Sequence, residues 1–182
     1  MLGRSTVSNN YLGLTADTLS QFIGVTCAGL LGQDILGQFD HIIDIVGGTL
    51  TISTAELTHS GKAVRLDEFM SVPVVNVSIE DTDYRMFFDT GAQISYFEDE
   101  SIMSYPSAGG ITDFYPGIGQ FHTETYTVAA ILGGENFALR CGRLPALFAM
   151  TLTMASVQGI VGNSIFEGRI VGYFPRRQML VL

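Results

Sequence analysis

Short apolar runs alternate with turn residues over most of the chain. Five runs carry β-branched or aromatic side chains between Gly, Asp, Asn or Pro: residues 72–79 (VPVVNVSI), 84–89 (YRMFFD), 124–131 (ETYTVAAI), 135–141 (ENFALRC) and 178–182 (QMLVL). Such runs are typical of β-strands. Capping residues precede apolar ones in three further stretches, which predicts short helical turns: residues 16–24, 33–39 and 163–169. We therefore predict an all-β fold with a few short helices.

An internal repeat divides the chain. Residues 29–36 (GLLGQDIL) and 159–166 (GIVGNSIF) share the order Gly, two aliphatic, Gly, two polar and two apolar residues. Each copy runs into a predicted β-hairpin, at residues 41–53 and 169–182, so the two are predicted to be equivalent supersecondary units. The polar stretch between them is interpreted as a linker over residues 56–69, between one unit at 1–55 and another at 70–182.

Bulk composition limits the class of protein. The chain has 182 residues, of which 47% are apolar and 15% charged, as expected for a compact folded body. Polar residues or Gly interrupt every apolar window before it reaches the about 20 residues of a membrane helix, so we expect a soluble protein with no membrane span. The first ten residues lack the apolar core of a signal peptide, which makes the cytoplasm the default expectation and leaves the compartment open.

Charge and ligand-type residues exclude other classes of function. The formal net charge of −9 is unfavourable for a nucleic-acid partner. The one basic pair, Arg176-Arg177, is interpreted as a solvated turn. Two cysteines and three scattered histidines have none of the spacings of a disulfide framework or a zinc site. We expect neither a metal nor an organic cofactor.

One acid stands at the end of an apolar strand, directly before a tight turn. Asp89 follows the run Tyr84–Phe88 and is followed by Thr90, Gly91 and Ala92. An aspartic peptidase needs a carboxylate on a rigid turn, with Thr to hydrogen-bond the supporting backbone and Gly to allow close approach. An Asp-Thr-Gly tripeptide alone also occurs as an ordinary surface turn, so its neighbourhood decides its meaning.

Three motifs in order carry a family resemblance. Residues 71–88 form a predicted strand, turn and apolar strand that lead to the Asp-Thr-Gly turn; a Gly-Ile-Gly turn follows at 117–119, and VQGIVGNSIF at 157–166. Over roughly residues 70–182 the chain resembles the retropepsin-like aspartic peptidases. It departs from that family's pattern at Gln120, where a further Gly is common, and at Asn163-Ser164.

The resemblance implies a closed, barrel-like acid-protease lobe, preceded by an additional half-lobe in residues 1–55. It implies that Asp89 is catalytic, that the substrate is a polypeptide, and that the other motif residues have three roles. These are support of the catalytic turn (Thr90, Gly91, Ala92), a flap over the substrate (Gly117, Ile118, Gly119, Gln120, Phe121) and a bracing segment beneath the turn (Gly159, Ile160, Val161, Gly162).

The family's chemistry uses two aspartates, and this chain carries one catalytic turn. A two-lobed site has two turns and two bracing segments, whereas the chain has one turn and two bracing segments, the first at 27–36. Asp17-Thr18-Leu19 cannot replace the missing turn, because Leu takes the place of Gly. We expect a homodimer in which each copy donates Asp89 across a two-fold axis, as symmetric homodimers are the commonest oligomers.

Two alternatives stay open. In the first, the chain is the remainder of a longer, two-lobed precursor that supplied the first aspartate. In the second, it is a non-catalytic module for peptide binding or assembly. The intact Asp-Thr-Gly turn argues against the non-catalytic class, because a binding module has no chemical need for that acid.

Overall fold

A computed structural model describes residues 6–182, without the side chain of Ala149. In this range short strands dominate, which confirms the all-β prediction. The strands are β1 Asp40–Asp44, β2 Thr49–Ser53, β3 Ala63–Arg65, β4 Asp67–Phe69, β5 Val72–Ile79, β6 Thr82–Phe88, β7 Ser95–Phe97, β8 Ser107–Tyr115, β9 Gly119–Leu132, β10 Glu135–Arg143, β11 Gly159–Val161, β12 Ile170–Phe174 and β13 Met179–Val181. The α-helices are α1 Ala16–Ile23, α2 Gln33–Leu36 and α3 Ala149–Ala155, and the 3-10 helices are Glu100–Ser104, Ala146–Phe148, Asn163–Phe166 and Pro175–Arg177.

Eight strands form the larger sheet, in the order β4-β5-β6-β11-β7-β10-β9-β8. An additional pairing between β5 and β9 joins Val77 to Leu132 and closes the six strands from β5 to β9 into a barrel. Alternate residues of β5 face inward, so Val75 and Val77 are buried in the core while Asn76 is exposed. The strand at the free end of this sheet, β8, pairs only with β9 among the described strands.

The two repeat hairpins meet in a second sheet, in the order β2-β1-β12-β13-β3. The central strands β1 and β12 are antiparallel, and Ile42 pairs with Gly172. When Gly29 is aligned with Gly159, Gly172 is also the repeat counterpart of Ile42. A residue that pairs with its own counterpart lies on a two-fold axis, so the two hairpins, β1–β2 and β12–β13, are related by a local two-fold axis through this pair.

A buried carboxylate joins the two hairpins. Asp40 is fully buried, and its Oδ2 lies 2.6 Å from Nη2 of Arg177 while its Oδ1 lies 2.8 Å from Nη2 of Arg176. The Leu57 amide donates a further hydrogen bond of 2.9 Å to Oδ2. Arg176-Arg177 lie in a turn before the last strand, as predicted, but they are not merely solvated, because both guanidinium groups bind Asp40. Asp40 lies 136 positions before Arg176, too far away for local sequence patterns to reveal the contact.

The charge balance lowers the pKa of Asp40. Burial by itself raises the pKa of this carboxyl group. The hydrogen bonds from Arg176 and the Leu57 amide, together with the charges of Arg177 and Arg176, outweigh burial and hold the pKa below its ordinary value of 3.8.

Two short strands lie inside the predicted linker. Strand β3 pairs with β13 and strand β4 pairs with β5, so residues 63–69 run from one sheet to the other. Only Val64 and Leu66 are buried there, and the exposed polar residues around them hide the strand pattern. Among the described residues, no helix is long and apolar enough to cross a membrane.

Candidate active site

Asp89 stands at the end of β6, on a turn that the segment Gly159–Gly162 supports. Strand β11 pairs in parallel with β6, placing Val161 beside Phe88. The Asp89 amide donates to the Val161 carbonyl at 3.0 Å, and the Asn163 amide donates to the Ala92 carbonyl at 2.8 Å. The structure thus brings the predicted catalytic turn and the predicted bracing segment together through backbone hydrogen bonds on both sides of the turn.

Close backbone approach explains the glycines of the bracing segment. A Cβ atom added to Gly159 would lie closer than 3.0 Å to the Tyr96 carbonyl oxygen, and one added to Gly162 closer than 3.0 Å to the Ile94 carbonyl oxygen. Both neighbours are backbone atoms that cannot swing away. Ile160 and Val161, between the glycines, are 3% and 0% exposed. The pattern of Gly, two aliphatic residues and Gly is therefore a steric requirement of the braced turn.

The carboxyl group of Asp89 is partly buried. Its Oδ1 accepts a hydrogen bond of 2.8 Å from the Gly91 amide. Burial raises the pKa of Asp89 above its ordinary value of 3.8, and hydrogen bonds from the Gly91 and Ala92 amides oppose the rise. Such a group exchanges protons more readily near neutral pH than an exposed aspartate does.

Thr90 differs from the expectation. Its hydroxyl makes no hydrogen bond to any other described residue, so the predicted support of the turn through this side chain is not found within residues 6–182. The turn is held by the Gly91 amide bond to Asp89 and by its backbone bonds to Val161 and Asn163, while the Gly162 amide ties the bracing segment to β7 by donating to Ser95 Oγ at 3.1 Å.

The predicted flap is the tip of the β8–β9 hairpin. Gly117 and Gly119 have φ angles of 81° and 83°, which favour glycine, and the Ile118 amide donates to the Tyr115 carbonyl at 3.1 Å. Gln120 is exposed and pairs with Phe114 across the hairpin.

The residues beside the tip of this hairpin pack on the layer of the predicted catalytic turn. Tyr115 and Phe121 contact an apolar cluster that includes Ile94, Ile160 and the half-buried Ala92. Burial raises the pKa of the Tyr115 phenol, and the charge of Asp89 raises it further, so the two side chains are electrostatic neighbours. The hairpin and the predicted catalytic turn therefore lie side by side.

A buried tyrosine anchors the same hairpin from below. Tyr96, on β7, is 2% exposed and donates a hydrogen bond from its hydroxyl to Oδ2 of Asp113 on β8. Burial and then the hydrogen bond and charge of Asp113 raise the pKa of Tyr96, so the phenol stays protonated as a donor.

Aromatic and backbone contacts that the sequence analysis missed flank the flap. The Gly117 amide donates to the Leu12 carbonyl at 2.8 Å, and the rings of Phe22 and Phe114 lie 5.0 Å apart. On the other side, the Tyr115 and Phe148 rings lie 4.1 Å apart. In the structure α1 and the 146–155 helical region precede the two bracing segments at equal spacing, but residues 16–23 and 146–153 share only their first Ala, so the repeat could not be extended upstream from the sequence.

A groove of about 620 Å³ lies apart from the predicted catalytic turn, and no residue of the turn at 89–92 lines it. Its lining comes mostly from β9, the end of β10 and the loop that follows, and includes Phe121 of the predicted flap, His122, Arg143 and Pro145. Within residues 6–182, no three His, Cys, Asp or Glu side chains are placed to share a metal ion.

No protein-family model matches the chain. No curated protein matches it either.

Proposed function

We propose that this chain is an aspartic endopeptidase, in which a water molecule activated between two aspartates hydrolyses the peptide bond and Asp89 is one of the two. The observation that carries the proposal is the placement of Asp89. It is a partly buried carboxyl group with a raised pKa, on a glycine turn bound from beneath by Gly159–Val161 and faced by a glycine-tipped hairpin.

The chemistry follows from two neighbouring carboxyl groups. Two carboxylates a few ångströms apart share one proton, because their charges repel each other, and they titrate as a pair. The ionised member removes a proton from the water, whose oxygen attacks the scissile carbonyl carbon. The protonated member donates a hydrogen bond to the developing oxyanion. The raised pKa of Asp89 supports a role in sharing that proton.

An extended polypeptide suits the surface beside Asp89. Strand β8 has one edge without a partner among the described strands, and it ends at Tyr115, which packs on the same apolar cluster as Ala92 of the Asp89 turn. A substrate strand can pair with such an edge through its backbone, and apolar pockets then select alternate side chains. Tyr115, Phe121 and Phe148 supply apolar surface there.

The second aspartate has two candidate sources. A second copy of the chain supplies Asp89 across a two-fold axis, or a separate segment, such as the first part of a longer two-lobed precursor, supplies its own aspartate. A homodimer of the kind found in the resembling family would use the C-terminal strand to build a sheet shared by the two copies. That strand, β13, has β12 on one side and β3 on the other, and β12 also pairs with β1. The β12–β13 hairpin therefore has a strand of the same chain on each side, β1 and β3. No edge of it is open to the C-terminal strand of a second copy, which favours the second source.

Dilution and mixing separate these sources. In a homodimer, activity per chain falls on dilution because monomers hold half a site. Mixing the wild type with Asp89→Asn then lowers activity below the average of the two preparations, since mixed dimers have one carboxylate. If another polypeptide supplies the acid, the purified chain is inactive at every concentration. Peptide hydrolysis measured alongside sedimentation velocity checks this, and an active, strictly monomeric chain would contradict both sources.

Replacing both Gly117 and Gly119 with Val should slow turnover markedly, with only a small effect on the stability of the fold. Both residues have positive φ, so each Val costs roughly 1–2 kcal/mol of local strain, which stiffens or displaces the flap. Gly48→Val is the matched control, since Gly48 has φ 62° and open space around it in the distant β1–β2 turn. Turnover and thermal unfolding are measured for both variants. Equal turnover of the two would show that residues 117–121 are only a connection.

A further inference from the structure

Within residues 6–182, the first repeat lacks the strand neighbours that the second one has. Residues Gly29–Gly32, here called the open strip, are in no described strand, whereas their counterparts Gly159–Val161 form β11 between β6 and β7. The consequence is seen in exposure. Leu30 and Leu31 are 60% and 59% exposed, although Ile160 and Val161 are almost fully buried.

The glycines of the open strip show the same difference. A Cβ atom added to Gly29 would meet nothing within 4 Å, and one added to Gly32 would meet only the Asp34 side chain. At Gly159 and Gly162, by contrast, passing backbone excludes any Cβ. The first repeat thus has the glycine spacing that a passing backbone requires, with open space where that backbone would run.

The open strip is held in position on both sides. Upstream, the Cys27 amide donates to Ser20 Oγ on α1 at 2.8 Å. Downstream, Gln33 Oε1 accepts a hydrogen bond of 3.1 Å from the Tyr173 hydroxyl, which ties α2 to the second unit. An exposed apolar segment with fixed ends is preorganised for a partner, because little conformational entropy remains to be lost on binding.

We infer that the open strip is a docking surface for a second half-lobe polypeptide, whose apolar strand pairs with Gly29–Leu31 and leads to its own Asp-Thr-Gly turn. The second repeat indicates the kind of partner, because there the same glycine pattern binds β6 and the Asp89 turn. The local two-fold axis through Ile42 and Gly172 then places the partner's acid opposite Asp89. The acid of the partner rests on the proposed function; the docking of its strand does not.

A second copy of this chain does not fit this role as it is folded. The chain's own segment of the required kind, β6 with its turn, already pairs with β5 on one side and β11 on the other. The occupant is therefore a half-lobe segment other than residues 6–182, with an unpaired apolar strand before its acid turn.

Binding of a probe peptide tests the inference on the full chain. The probe has the sequence of residues 82–97, which holds β6 and the acid turn, with a lysine tail for solubility and a fluorophore for anisotropy. We expect saturable binding to the wild type. Gly29→Ala should weaken binding by about tenfold or more, because its methyl group enters the path of the docked strand. Its thermal unfolding should match that of the wild type, since the added Cβ has open space.

Gly159→Ala is the matched control. It makes the same change in the occupied repeat, where the added Cβ overlaps the Tyr96 carbonyl, and it should lower the unfolding temperature clearly. A probe with Asn in place of its Asp should bind as well as the Asp probe. Hydrolysis that appears with the Asp probe and not with the Asn probe supports the proposed function, and binding without hydrolysis supports docking alone.

Several results would overturn the docking surface. These are no binding to the wild type, equal binding to the wild type and Gly29→Ala, and equal destabilisation by Gly29→Ala and Gly159→Ala. Self-association that is lost in a Leu30→Ser, Leu31→Ser double variant would name a second copy as the occupant and would also refute the inference.

Discussion

Asp89→Asn should abolish peptide hydrolysis in any preparation of the protein that cleaves peptides, while the fold stays intact. Asn keeps the shape of the side chain and an oxygen that can accept the Gly91 amide bond, but it cannot share a proton. Hydrolysis of a peptide library measures the loss. A statine-type inhibitor should block the wild-type activity and chelators should not, because the nucleophile is a water molecule activated by carboxyl groups.

The same variant has a distinct pH signature in stability. The folded-state pKa of Asp89 is raised above 3.8, so folding is penalised by its ionisation as the pH rises from the unfolded value through the folded one. Asp89→Asn removes that penalty and should be as stable as the wild type or more stable at neutral pH, with the difference vanishing in acid. Asp81→Asn is the control, an exposed acid that also precedes a Thr. Unchanged cleavage by Asp89→Asn would refute the peptidase proposal.

Asp40→Asn should be the most destabilising single change among the acids, lowering the free energy of unfolding by about 3 kcal/mol. It removes the one carboxylate that Arg176 and Arg177 share, at a fully buried position. We expect the lower end of the range for broken buried pairs because the two arginine side chains are 33% and 28% exposed. Urea unfolding at neutral pH measures the change.

Acid should remove most of this difference. The pKa of Asp40 is lowered in the fold, so its stabilisation is present above its ordinary pKa of 3.8 and is lost as the pH falls through the folded-state pKa. Glu56→Gln is the matched control, because Glu56 is a second acid near Arg177, at 4.0 Å, and is 75% exposed. It should change stability little. A loss in Asp40→Asn no greater than in Glu56→Gln would contradict a structural role for the buried pair.

Local patterns predicted the features that depend on local causes. The strands β5, β6, β9 and β10 follow from β-branched and aromatic residues between turn residues, and both repeat hairpins form where they were predicted. The short strands β3 and β4 could not be predicted, since pairing with distant strands forms them against a polar composition. The same reason hid the contact of Asp40 with Arg176 and Arg177.

The site divides in the same way. The Asp89 turn and its contact with Gly159–Gly162 could be predicted, because the close approach of neighbouring backbone requires glycine at fixed positions. The contact of Leu12 with Gly117 uses a backbone carbonyl, which leaves no trace in side-chain identity. The exposure of Leu30 and Leu31 was hidden for another reason: their motif matches that of the buried Ile160 and Val161, and only the neighbours differ.

The ion pair at Asp40 also bears on how the chain arose. The repeat counterpart of Asp40 is Ile170, and the counterparts of Arg176 and Arg177 are Val46 and Gly47, so the contact is made on one side of the two-fold axis and has no mirror. Two copies of the second hairpin facing each other would set the arginines against Ile170. Such an asymmetry is what duplication followed by divergence produces. Once two equal halves are fused in one chain, each half can change independently of the other. An ion pair between unlike residues then makes each half depend on the other.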